Sequence, residues 1–89
     1  MSYHYPLDET WSKQEIIDVV NFFSTVERAY EQQVSRKDLL AAYTRFKQIV
    51  PSKSEEKALF AEFKNASGYA CYPVVKKARE QDQEKIKMD

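Results

Sequence analysis

Apolar residues recur at helical spacing in four stretches of the chain, and each stretch is punctuated by helix start and stop signals. In the first, Ile16, Val19, Val20, Phe23, Val26 and Tyr30 form one stripe, while Ile17 and Phe22 fall outside it. The extra apolar residues in its first half suggest contacts with two neighbours. Ser12-Lys13-Gln14-Glu15 is a capping box, with Trp11 and Ile16 placed as a hydrophobic staple. In the second stretch, Ser35 and Asp38 mark the start. Leu39, Ala42, Tyr43, Phe46, Ile49 and Val50 share a face, and Pro51 stops the helix. A second capping box, Ser52-Lys53-Ser54-Glu55, opens the third stretch, whose face is Leu59, Phe60, Phe63 and Ala66. Gly68 suits the left-handed position after its last turn. Pro73 suits the first turn of a fourth helix that begins with Val74, Val75 and Ala78.

The pattern predicts an all-α fold, a compact array of four helices in a single domain over residues 1–89. The helices are expected at about 12–31, 35–50, 53–66 and 73–85. Residues 1–11 are expected to form an ordered arm, because a free tail rarely carries Tyr3, Tyr5 and Trp11 together. Residues 79–89 are nearly all polar, so a partly frayed tail is expected there. No strand-like alternation and no internal repeat is visible.

Composition narrows the chemistry. The 89 residues carry 14 Lys plus Arg and 14 Asp plus Glu, so the net charge is zero. Nucleic-acid and membrane binders usually carry surplus positive charge, so neither partner is expected. The N-terminus has no charged-then-apolar leader, and no apolar run reaches the length of a membrane span. One cysteine excludes an internal disulfide, and one glycine excludes a Gly-rich phosphate loop. Clustered Cys and His ligands are missing, as is an Asp-rich loop, so no metal and no cofactor is expected.

Three blocks, YxYPLDxxWSxxEIIDVVNFF, RFKQIVPSKSEEK and SGYACYPVVKKA, together resemble the YktA-like family of small uncharacterised proteins from Gram-positive bacteria. The resemblance runs from Tyr3 to about Glu80. It implies an all-helical fold and a bacterial, cytoplasmic setting, and it supplies no activity and no catalytic residue.

Among individual residues, Cys71 and His4 are the only ones of their kinds, the minimum for thiol catalysis. Cys71 leads an apolar helical face and reads better as a buried structural cysteine. Glu27 falls inside the apolar stripe of helix 1 and is the candidate buried polar group. It requires a tyrosine or a cation of helix 2, unless the stripe ends there and leaves it partly exposed. Charge is uneven: residues 1–33 hold two basic and six acidic groups, and residues 34–89 hold twelve basic and eight acidic ones. The link between helices 2 and 3 is of helix-turn-helix length, but helix 3 balances Lys53, Lys57 and Lys64 against Glu55, Glu56 and Glu62, so it lacks a DNA-reading charge. Tyr69, Tyr72, Lys76 and Lys77, around the helix 3–4 bridge, form the candidate partner-binding patch. The tyrosines could equally close the core over the helix junction.

These readings favour a cytoplasmic protein-interaction or adaptor module rather than an enzyme. The alternatives are a nucleic-acid-associated regulator and, behind it, a small enzyme using Cys71. An unknown protein partner is expected, while its identity and the oligomeric state stay open.

Overall fold

The computed structural model of the chain describes residues 5–88; the expectations for Tyr3 and His4 lie outside them. In chain order the elements are α1 (Lys13–Glu31), β1 (Val34–Ser35), α2 (Arg36–Ile49), α3 (Lys53–Ser67), α4 (Cys71–Glu80) and β2 (Lys85–Ile86). The architecture is all-α, with one two-residue antiparallel ladder pairing Val34 with Ile86 and Ser35 with Lys85. Its radius of gyration, 12.3 Å, is close to the roughly 12 Å that a folded chain of this length adopts.

Local signals set the helix starts. Ser12 Oγ accepts from the Glu15 N–H at 3.1 Å, and Glu15 Oε1 accepts from the Ser12 N–H at 2.8 Å, which closes the capping box. Only the serine half of the second box forms. Ser52 Oγ accepts from the Glu55 N–H at 3.3 Å and lies 3.1 Å from Ser54 Oγ. Gly68 ends α3 at φ +84°, the left-handed conformation that an L side chain adopts at a cost.

All five phenylalanines meet in one aromatic core between α1, α2 and α3. Phe23 stacks on Phe63 with centroids 4.6 Å apart, and Phe22 on Phe46 at 5.0 Å. Phe60 lies 5.5 Å from Phe46 and 5.9 Å from Phe22. Phe22, outside the single stripe, is thus fully buried between α2 and α3, while Ile17 stays half-exposed. On the α4 side, Cys71, Val74, Val75 and Ala78 complete the core.

The described part of the arm packs on this core. Tyr5 stacks on Phe23 at 5.9 Å and on Phe63 at 6.0 Å. Pro6 is buried and Trp11 is half-buried. Asp8 turns the chain between them, because its carboxylate accepts from both the N–H and the hydroxyl of Thr10.

Two expectations about the C-terminal part need correction. First, α4 spans 71–80 rather than 73–85. Pro73 sits at its third position, where the missing N–H has no partner inside the helix to lose. Second, residues 81–88 are not a fraying helical tail. They cross back over the molecule as a strap, and Ile86 is fully buried. The Arg36 N–H donates to Glu84 O at 2.8 Å, the Met88 N–H to Ala29 O at 2.7 Å, and Lys77 Nζ to Lys87 O at 2.6 Å. Arg36 Nε also donates to Ala78 O at 2.6 Å, satisfying a carbonyl of the last turn of α4. One buried isoleucine and several backbone bonds hold a segment that helix propensity alone would leave loose.

Candidate functional site

Three helical faces converge on an open cleft of about 700 Å³. From α2 come Tyr43 and Lys47, one turn apart. The same face of α3 supplies Lys53, Glu56, Lys57 and Phe60, at helical spacing. The opposite wall, from α4, carries Tyr72 and Arg79, two turns apart, and Pro51 closes the end.

Glu56 is the anchor of the floor. It is buried, an unusual place for a carboxylate. Tyr43 Oη donates to it at 2.7 Å, and Lys47 Nζ approaches its other oxygen at 2.6 Å. The Tyr43 hydroxyl is pushed up to about 12 by burial and then by its bond to Glu56. The Arg79 guanidinium lies over the Tyr43 ring, 5.2 Å from its centroid. The charge of Glu56 is therefore used inside the fold. Among the described residues, Lys53, Lys57 and Arg79 have no acidic partner within ion-pair distance, so the rim is positive. Tyr72 is 54 % exposed, and Phe60 is half-buried.

The candidate patch residues face different neighbours. Tyr69 turns to α1, where it stacks on Tyr30 at 4.8 Å and donates to Glu31 at 2.8 Å. Lys77 is bound to the strap. Tyr72 lines the cleft, and Lys76 is exposed on α4 outside its lining. Of the two tyrosines, then, Tyr69 braces the helix junction and Tyr72 faces solvent. Glu27 accepts from the Tyr5 hydroxyl. Burial, and then the Glu31 charge, hold its carboxyl above the usual range. Cys71 is buried at the start of α4, and burial pushes its thiol far up, so it is a neutral thiol at physiological pH. Among the described residues no group of three or more His, Cys, Asp or Glu side chains is placed to hold a metal ion, and no helix is long and apolar enough to cross a membrane.

A second link, on the other side of α2, joins Arg45 to Asp18 of α1 at 2.8 Å. The Arg45 bond, and then one from Gln14, hold the Asp18 carboxyl below the usual range. Both partners serve the α1–α2 junction and lie away from the cleft.

Sequence reasoning missed Glu56 as a site residue. It was counted only as one of three acids balancing three lysines. Its spacing to Phe60 and Phe63, at i+4 and i+7, was the available signal, since that places it on the core-facing side of α3.

Residues 2–87 match the sequence profile described as "Uncharacterised protein family (UPF0223)". The chain belongs to the UPF0223 family. Its relatives include a UPF0223 protein of Oceanobacillus iheyensis, 68% identical over 88 residues, covering 99% of this chain and all of the relative. The UPF0223 protein YktA of Bacillus subtilis is 53% identical with the same coverage. A UPF0223 protein of Lysinibacillus sphaericus is 52% identical over 80 residues, covering 90% of this chain and 84% of the relative. The YktA-like resemblance is thus a family relationship spanning nearly the whole UPF0223 chain.

Proposed function

We propose that this UPF0223 protein is a small, non-catalytic interaction module of the bacterial cytoplasm, and that it docks a partner protein in the cleft between α2, α3 and α4. The observation that carries the reading is the cleft's composition. An exposed tyrosine and a half-buried phenylalanine stand beside three cations without acidic partners among the described residues, while the one described acid in the lining is tied inward to Lys47 and Tyr43. Aromatic side chains and arginine are the residues enriched where protein interfaces concentrate their binding energy. Rigid helices on three sides keep the entropy cost of docking low. Support for a non-catalytic role comes from Cys71, whose buried neutral thiol is a poor nucleophile, and from Glu27 and Glu56, each committed to a tyrosine hydroxyl.

A photo-crosslinking residue placed at Tyr72 in the native cell tests the reading, with one at Ile17 on the exposed side of α1 as control. The expected result is a discrete crosslinked protein from position 72 that disappears with Lys57→Glu. Discrete crosslinks from position 17 alone would move the docking face to α1.

A further inference from the structure

The charge arrangement of the cleft goes further than its outline. Lys53 and Lys57 stand one turn apart on the exposed side of α3, and Arg79 faces them from α4. Lys47, the fourth cation in the lining, is consumed by Glu56. The Arg79 guanidinium carbon lies over the Tyr43 ring, 5.2 Å from its centroid, and the residue is exposed. A guanidinium is the side chain that pairs a carboxylate in a two-pronged fork. Tyr72 and Phe60 supply apolar surface in the same lining.

We infer that the cleft receives an acidic linear segment of a protein partner, its carboxylates paired with Lys53, Lys57 and Arg79 and one aromatic or aliphatic side chain set against Tyr72 and Phe60. The inference rests on the docking reading above and adds the chemistry of the occupant. The volume, about 700 Å³, falls in the range of ligand sites. The cleft is wide open to solvent, however, so a small molecule would keep much of its surface in water, whereas an extended chain can continue beyond it. A nucleic acid fits less well. Its phosphates recur about every 1.7 Å along a duplex and reward a long basic track. Here the positive rim ends within one face of a chain whose net charge is zero and whose first 33 residues carry six acids against two bases.

Selection of random linear peptides displayed on phage against the full-length protein tests the inference. The selected peptides should be enriched in Asp and Glu flanking Phe, Tyr, Trp or Leu. Their synthetic versions should lose about tenfold or more in affinity for the Lys57→Glu/Arg79→Glu double variant. Lys76→Glu, exposed on α4 but outside the cleft, should retain affinity within about twofold. A thermal melt confirms that each variant is folded. Three outcomes overturn the inference: no peptide selected, peptides without acidic enrichment, or acidic peptides indifferent to the double variant. Concentration-dependent self-association abolished by the double variant would overturn it in favour of a second copy's acidic α1, and a single-stranded oligonucleotide competing the peptides away would do so in favour of nucleic acid. Crosslinking at Tyr72 separates the two levels. If it persists while the peptide experiment fails, the docking face stands and the acidic occupant falls.

Discussion

Glu27 and Glu56 both turn from water toward a tyrosine hydroxyl, and they do so for different ends. Glu56 is the more demanding, because it is buried and paired with both Tyr43 and Lys47. Glu56→Ala should destabilise the fold by about 2 kcal/mol, since Tyr43 loses its acceptor while Lys47 can still reach water. Glu56→Gln, which keeps an acceptor for Tyr43, should cost about half as much. Urea unfolding of the two variants checks the order, and equal losses would show that the ion pair alone matters. Glu27 has a pH signature instead. Its carboxyl is held above the ordinary value of 4.5, so its contribution is complete below that pH and fades as pH rises through the folded value. Glu27→Gln should therefore flatten a decline in stability above pH 4.5, read from urea midpoints across that range. Asp18 has the opposite sign. Its carboxyl is held below 3.8 by Arg45 and then Gln14, so its contribution is present above that value and is lost as pH falls. Asp18→Asn should flatten the acid limb of the same curve.

At the scale of elements, the end of α3 and the strap decide how the second half of the chain is laid down. Gly68 holds a positive φ with open space where a Cβ would stand, so Gly68→Ala meets no clash and costs only the left-handed conformation. That cost is about 1–2 kcal/mol, and Gly68→Asn should recover part of it. The strap has one fully buried side chain, Ile86. Ile86→Ala should cost about 2–4 kcal/mol, lowering Tm by about 4–8 °C per kcal/mol. It should also release the amides of Arg36 and Met88, which donate across the strap, to fast hydrogen exchange. Protection unchanged at both amides would show that the backbone bonds hold the strap without Ile86.

Across the whole molecule, charge is segregated although it sums to zero. Six acids and two bases occupy the first 33 residues, and the positive rim of the cleft is built from α3 and α4. Such a dipole orients a partner more than it tightens one. It also sets an upper limit for nucleic acid. A short single strand should bind more weakly than about 10 µM at physiological salt, because few phosphates can be neutralised at once. Fluorescence anisotropy against salt concentration checks this, and tight binding with a steep salt slope would reassign the cleft to nucleic acid.

The four helices, their caps at Ser12, Ser35 and Ser52, and the turn at Gly68 were legible in the chain because each is a local preference written within a few residues. Phe23, Phe46, Phe60 and Phe63 of the aromatic core were legible through helical periodicity, whereas Phe22, outside the stripe of α1, was placed in it by packing against α2 and α3. Three things were decided only by tertiary structure. The strap could not be read, because a two-residue strand has no period and Ile86 and Met88 are the only apolar residues after Ala78; the partner of Ile86, Val34, lies 52 positions earlier. Tyr69 in the α3–α4 bridge and Tyr72 in the first turn of α4 were equivalent candidates until packing sent one to Tyr30 and Glu31 and left the other 54 % exposed in the cleft. The cleft itself has no sequence signature. Its cations come from α3 and α4, and only the folding of α2 against both ties Glu56 inward and leaves Lys53, Lys57 and Arg79 as a positive rim. Local free energy writes helices into a sequence, whereas a site made by three helices exists only once long-range packing has chosen which faces meet.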